Sequence, residues 1–125
     1  MKPADGCSGE LPGLGEHQKK VFERLVLVKE TMAKGGGYGD MHFALATLIK
    51  SFEYCAAVEE ALMLRHGYPG YEPHKKQHVD LLSSLRALET MNLSTGLTEK
   101  MIGAAFASMM RHHLTQDRPY ARYLP

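Results

Sequence analysis

Four segments of the chain repeat apolar residues at the spacing of an α-helix. They run from Glu16 to Lys34, from Asp40 to about His66, from Pro73 to about Met91 and from about Leu97 to Leu114. Apolar residues that recur every three or four positions predict a helix with one face in a core. No segment alternates apolar and polar residues over a useful length, so we predict no strands. The repeated positions are Val21, Leu25, Val28 and Met32, then Leu45, Leu48, Ile49, Phe52 and Leu62, then Val79, Leu82, Leu85 and Leu88, and finally Met101, Ala104, Ala105, Ser108 and Met109.

Short breaks separate the four predicted helices. Gly35–Gly37 ends the first, the turn Gly67–Gly70 ends the second, and Asn92–Gly96 interrupts the pattern before the fourth. Asp40 has the chemistry of an N-cap for the second helix. Because connections this short join antiparallel neighbours, we expect an all-α fold, an up-down-up-down antiparallel four-helix bundle.

The 125 residues are enough for one domain. We expect residues 16–125 to form the bundle and residues 1–15, which are rich in Pro and Gly, to form an irregular N-terminal arm. A net charge of +1 leaves no basic excess for nucleic acid. The longest apolar stretch, Met101–Met110, has about half the length of a membrane span. The first residues lack the apolar core of a secretion signal, so we expect a cytoplasmic protein.

The composition is unusual in its seven histidines. Two of them, His74 and His78, are four residues apart, so they lie on one helical face and can bind a single metal ion. They share that side with Leu82 and Leu85, which directs them into the bundle, where imidazoles need polar partners. Such a pair specifies no third ligand and also occurs on protein surfaces.

The second helix contributes a pair of carboxylates, Glu59 and Glu60. Glu59 follows Ile49 and Phe52 at helical spacing, so it lies on or near the apolar side. A carboxylate that faces a core needs a cation or hydrogen-bond donors. We assign Glu60 to the solvated side of the same helix.

The fourth helix ends in a further histidine and carboxylate. His112 follows Ala105 and Met109 on the inner stripe, and Asp117 comes five residues later. Both can reach one interior if the end of the helix relaxes. The alternative is a C-terminal histidine that the helix dipole favours, and His113 fits that description better.

In their order and spacing, these motifs resemble those of the hemerythrin family, whose four-helix bundles hold a non-heme di-iron centre that binds dioxygen. The resemblance extends over most of the chain. The matching segments are Glu16–Phe22, Glu59-Glu60-Ala61-Leu62-Met63, Gly67-Tyr68-Pro69, His74-Lys75-x-x-His78, His112–Asp117 and Tyr120–Leu124.

The resemblance implies a role for each matching residue. His74, His78 and His112 would bind one iron ion, and Glu59 and Asp117 would bridge it to a second. Imidazole and carboxylate ligands suit iron in such sites, and three imidazoles would also suit zinc. The family's second iron takes two further histidines, one four residues before the bridging glutamate and one on the first helix, four residues before a phenylalanine.

This chain departs from the family at both of those positions. Cys55 precedes Glu59 by four residues, and Gln18 precedes Phe22 by four, with His17 displaced by one. The apolar face of the first helix centres nearer Gln18 than His17, although a small shift at the helix start could turn His17 inward. Cys55 is either a thiolate ligand or a small core residue. The departures place reversible dioxygen carriage in doubt.

Three functions are compatible with these residues. The first is a hemerythrin-like iron protein with an altered di-iron centre that senses or binds dioxygen, nitric oxide or redox state. The second is a module that holds one metal ion for structure, storage or partner recognition. The third is an enzyme such as a peroxidase or ferroxidase, but no general acid–base pair distinguishes it, so the sequence favours a protein that is not an enzyme.

Overall fold

The computed structural model describes residues 14–93 and 96–117, with side chains for 16–93 and 96–115. Over these residues the fold is all-α and contains no strand, so the predicted all-α class and the four predicted helices are confirmed. A π-helical turn continues directly from the fourth helix. The elements are α1 (Leu14–Ala33), α2 (Tyr38–His66), α3 (Tyr71–Leu93), α4 (Glu99–His112) and the π-helical turn His113–Asp117.

Three helices begin two residues earlier than the sequence pattern predicts, namely α1 at Leu14, α2 at Tyr38 and α3 at Tyr71. Helix α1 already includes Leu14 and Gly15, which the pattern assigns to the arm; the rest of the predicted arm lies outside the described residues. Gly37 is the N-cap residue of α2. Its backbone is extended, and no side chain caps the helix at this position. The prediction of Asp40 as N-cap is therefore wrong. Asp40 lies in the first turn, where its negative charge is favourable beside the helix N-terminus.

The turn between α2 and α3 depends on a left-handed glycine. Gly67 has φ +64°, and the backbone N–H of Tyr68 donates to the carbonyl oxygen of Met63 across 2.9 Å. This pattern is that of a helix C-cap, which satisfies carbonyl groups that the last turn leaves without partners. The chain then enters α3 at Tyr71, so the early turns of α3 pack against the late turns of α2.

Each of the four helices packs against two others. Helix α1 contacts α2 and α4, and α3 likewise contacts α2 and α4, so the helices enclose one core. No helix in the described part of the chain is both long and apolar enough to cross a bilayer. The core consists of Val21, Leu25, Val28, Met41, Ala44, Leu45, Leu48, Ile49, Phe52, Cys55, Ala56, Met63, Leu85, Leu88, Ile102, Ala105 and Met109.

The buried stripe of α4 determines which histidine of its last turn faces inward. Ile102, Ala105, Met109 and His112 are buried, at intervals of three and four residues. The predicted stripe is offset by one residue at its start, because Met101 is exposed and Ile102 takes its place in the core. Continued to the end of α4, the stripe directs His112 into the interior.

Candidate metal centre

Four side chains from three helices meet inside the core. Glu59 comes from α2, His74 and His78 from α3, and His112 from α4. One potential ligand atom of each residue lies within 4.8 Å of those of the other three. The four residues are only 1% to 6% exposed. The structure thus brings together four of the residues that the sequence identifies, and we call them the His3Glu cluster.

Helical periodicity explains why the carboxylate of Glu59 is inside. The buried positions of α2 include Phe52, Cys55, Glu59 and Met63, which follow one another at intervals of three or four residues. Glu59 is therefore part of the apolar face of its helix. Placing a carboxylate there costs free energy unless a cation or hydrogen-bond donors surround it.

One oxygen of Glu59 lies close to the Nε2 atoms of two histidines. Its Oε1 lies 2.7 Å from Nε2 of His74 and 2.9 Å from Nε2 of His78. Its Oε2 is buried and forms no hydrogen bond within the described part of the chain. A buried carboxylate oxygen without a donor is costly. A metal ion among the imidazoles would satisfy it.

The three imidazole rings contact one another. Their centroids are 4.5 Å apart for His74 and His78, 4.8 Å for His74 and His112, and 4.9 Å for His78 and His112. Three protonated imidazoles this close would repel one another in an interior of low polarity. Three neutral imidazoles and one carboxylate instead form a compact set of metal donors.

Glu60 differs from its predicted place on the solvated side of α2. Its Oε2 accepts a hydrogen bond from Nδ1 of His78 across 2.7 Å, and its side chain is 22% exposed. The interpretation of Glu60 as a solvated charge is therefore wrong. The carboxylate contacts the outer nitrogen of a cluster histidine.

Gln77 has a similar position beside His112, and the sequence does not single it out. Nδ1 of His112 donates to Oε1 of Gln77 across 3.0 Å. The sequence feature that could have identified Gln77 is its place directly before His78 in the motif His74-Lys75-Lys76-Gln77-His78. In the structure, Gln77 lies on the side of α3 that borders α4. A helical neighbour of an inward histidine is about 100° away, close enough to reach a ligand on the next helix.

Cys55 and Gln18 lie together beside the cluster. The thiol of Cys55 donates to Oε1 of Gln18 across 3.7 Å, and both residues are 5% exposed. They line a small enclosed cavity of about 10 Å³ that Glu59, His78 and His112 also line. Cys55 and Gln18 are thus neighbours in space. At both positions the resemblance to hemerythrins predicts a histidine.

His17 does not share this cavity. It is half-buried, and its ring packs edge-on against Tyr54 at a centroid distance of 4.6 Å. The inward position on α1 belongs to Gln18. The predicted alternative in which His17 turns inward is therefore not the arrangement of this structure.

The end of α4 departs from α-helical geometry directly after His112. The π-helical turn follows His112 at once and ends at Asp117. A π-helix has hydrogen bonds between residues five apart, so its wider turn suits a five-residue spacing better than an α-helix does. The side chain of Asp117 lies outside the described side chains, so its assignment as a ligand stays a prediction.

Tyr68, in the turn before α3, is sensitive to the charge of the cluster. Burial and the nearby carboxylate of Glu59 both raise the pKa of the Tyr68 phenol above its usual value. The phenol is therefore neutral at physiological pH and adds no negative charge near Glu59.

The His3Glu cluster fits a transition-metal ion by its chemistry. The set offers imidazole nitrogens and a carboxylate, which suit iron and zinc rather than calcium or magnesium. The rings of His78 and His112 have outer hydrogen-bond partners, as metal-binding histidines usually do. Comparisons with protein-family models, with curated proteins and with solved structures found no match to this chain.

Proposed function

We propose that this is a hemerythrin-like metal-binding protein whose principal site holds one iron ion in the His3Glu cluster. The observation that carries the proposal is the meeting of four buried donor atoms within 4.8 Å of one another. His74, His78 and His112 would supply imidazole nitrogens, and Glu59 would supply a carboxylate oxygen. Zinc is the alternative ion for such a donor set.

Hydrogen bonding alone accounts less well for this cluster. Three histidines and a glutamate occupy a region where apolar side chains would pack at lower cost. The arrangement leaves Oε2 of Glu59 buried and without a hydrogen bond among the described residues. A metal ion repays the cost of this burial, because it binds the folded chain and not the unfolded one.

The resemblance to hemerythrins supports iron as the ion and an up-down-up-down order of the helices. The cluster residues occur at the positions of the family motifs, and Asp117 follows at the expected spacing. Iron held by imidazoles and carboxylates can change oxidation state and bind small molecules. We therefore propose that the protein senses or binds dioxygen, nitric oxide or redox state.

The second iron subsite of the family is the altered part of this proposal. Cys55 and Gln18 occupy its histidine positions and hydrogen-bond to each other. A glutamine amide is a weak iron donor, and a thiol must lose its proton before it binds metal. We therefore propose one strong subsite and a second that is weak in the native chain.

Metal analysis of protein purified from iron-supplemented cells tests the proposal. We expect about one iron ion per chain, held through dialysis, with an absorption spectrum that changes on reduction or on addition of nitric oxide. Purified protein that contains no metal and takes up neither iron nor zinc would contradict it.

A second candidate function is a site that holds one metal ion for structure alone. The burial of all four cluster residues favours it, since exposures of 1% to 6% leave an exogenous ligand little access. Metal that stabilises the fold, together with a spectrum that is indifferent to reduction and nitric oxide, would identify this function.

A further inference from the structure

We propose that Glu60 and Gln77 are positioning residues that give two metal ligands, His78 and His112, different donor strengths. This proposal rests on the proposed metal site. It concerns two side chains that lie outside the donor set and would act through the outer nitrogens of the imidazole rings.

The two contacts share one geometry. Nδ1 of His78 donates to Glu60, and Nδ1 of His112 donates to Gln77. Each contact keeps a proton on Nδ1, so Nε2 is the nitrogen that carries the lone pair once the ring is neutral. For His78, Nε2 is also the nitrogen that faces Glu59, at 2.9 Å. The outer partners therefore select the nitrogen that faces the cluster.

The two partners differ in charge. Glu60 is a carboxylate, and its contact with His78 is 2.7 Å long, whereas the neutral amide of Gln77 lies 3.0 Å from His112. A carboxylate partner pulls the Nδ1 proton more strongly and makes the ring a better electron donor to a metal. His78 is then the stronger ligand and His112 the weaker one.

The two ligands also differ in their surroundings. Gln77 and His112 line a groove of about 350 Å³ between α3 and α4, together with Asp80 and Arg111. Glu60 does not line this groove. The weaker ligand is therefore the one whose outer partner borders the groove.

The chain offers a matched control for the loss of an ionic contact between α2 and α3. Glu53 of α2 forms an ion pair with Arg86 of α3, and their side chains are 42% and 57% exposed. This pair joins the same two helices as Glu60 and His78 but includes no cluster residue. Changes at Glu53 report on helix packing alone.

The experiment is a titration of the metal-free full-length chain with Co²⁺, in which the visible spectrum of bound Co²⁺ reports binding. Competition between Co²⁺ and Zn²⁺ then gives the dissociation constant for Zn²⁺. The variants are Glu60→Gln, Glu60→Leu, Gln77→Glu, Gln77→Leu, Glu53→Gln and Glu53→Leu. The thermal melting of each metal-free variant shows whether it folds. The Gln and Glu variants conserve shape, so they keep the test valid where a Leu variant fails to fold.

We expect Glu60→Leu and Gln77→Leu to weaken Co²⁺ binding by about 10- to 100-fold and to shift the Co²⁺ spectrum. Glu60→Gln, which keeps an acceptor but loses the charge, should lie between the wild type and Glu60→Leu. Gln77→Glu should bind Co²⁺ more tightly than the wild type. The Glu53 variants should keep the affinity and spectrum of the wild type.

Wild-type affinity and spectrum in both Glu60 variants would overturn the proposal, as would equal losses at Glu53 and Glu60. The proposed metal site stands in those cases, because the wild type still binds Co²⁺. A wild type that binds neither Co²⁺ nor Zn²⁺ would overturn the metal site itself.

Discussion

The thiol of Cys55 donates a hydrogen bond to the side-chain oxygen of Gln18, with 3.7 Å between the sulfur and the oxygen. The contact joins α2 to α1 at the edge of the His3Glu cluster. A cysteine that donates in this way acts as a thiol, and a thiol must lose its proton before it can bind a metal ion. Under the proposed function, these two positions are what would distinguish this protein from a dioxygen carrier.

A Gln18→His, Cys55→His double variant should bind a second iron ion and gain a visible absorption band that depends on dioxygen. The cavity beside these residues measures about 10 Å³, so the larger rings should cost roughly 1–3 kcal/mol in overpacking. Iron content and spectra after reduction and exposure to air provide the measurement. The wild type, treated alike, should show no such band. Two iron ions and a reversible band in the wild type would contradict this prediction.

His78→Ala should lower bound metal and thermal stability together, because a metal ion that binds only the folded chain would stabilise it. At free metal 100 times above the dissociation constant, the wild type should gain about 2.7 kcal/mol, and the variant should lose most of that gain. His42→Ala is the control, because His42 is exposed and stacks on Tyr38, away from the cluster. Metal analysis and melting with and without metal provide the measurement. Equal metal content in the two variants would count against the site.

Glu59→Gln should reduce metal content more than Glu60→Gln does. Glu59 is 1% exposed and contacts both His74 and His78, whereas Glu60 contacts one outer nitrogen. An amide in place of the Glu59 carboxylate carries no charge to pair with the ion, so direct metal binding suffers most. Equilibrium dialysis against Zn²⁺ ranks the two variants. The reverse order, or equal and negligible effects, would remove Glu59 from the ligand set.

Acid should release the metal. The Nε2 atoms of His74 and His78 both lie within hydrogen-bond distance of Oε1 of Glu59, so these are the nitrogens that face the cluster. Protons compete with a metal ion for histidine nitrogens, so the affinity for metal falls as the pH falls and recovers as the pH rises. Zn²⁺ binding measured at several pH values in two buffers would give the number of protons released. Affinity and proton release that do not change with pH would contradict the direct role of these nitrogens.

Two glycine substitutions should have opposite effects on stability. Gly67→Ala places a Cβ at φ +64° and should destabilise the metal-free chain by about 1 kcal/mol. Gly103→Ala lies in α4, where the new Cβ meets open space outside its own helix backbone, and should stabilise the metal-free chain by about 0.5–1 kcal/mol. Urea denaturation of both variants checks the signs. A neutral Gly67→Ala would mean that the turn accommodates another conformation.

The helical period predicts the fold and the grouping of the cluster. Glu59, His74, His78 and His112 each continue a buried stripe, so a few apolar neighbours are enough to direct them inward. The register of α4 is less well defined by the pattern. Met101 and Ile102 are both apolar, so either could belong to the buried stripe. The N-cap at Thr98 and the packing of α4 place Ile102 in the core and leave Met101 exposed.

The outer partners of the histidines could not be predicted in the same way. Glu60 is about 100° from Glu59 on α2, and that angle alone assigns it to solvent. The imidazole of His78 is long enough to contact both carboxylates, one with each nitrogen. Gln77 likewise depends on how closely α3 and α4 approach each other. Such contacts depend on the distance between neighbouring helices, and the pattern of apolar residues along the sequence gives no information about that distance.

The His3Glu cluster draws on α2, α3 and α4 and takes no member from the described part of α1. A bound ion would therefore act as a crosslink among three helices and leave the first outside it. Local opening of the three crosslinked helices would require release of the ion, whereas α1 could open without it. Metal loading should then slow amide hydrogen exchange most in α2, α3 and α4. The metal-bound bundle would no longer open as one cooperative unit, because α1 would open more readily than the other three helices.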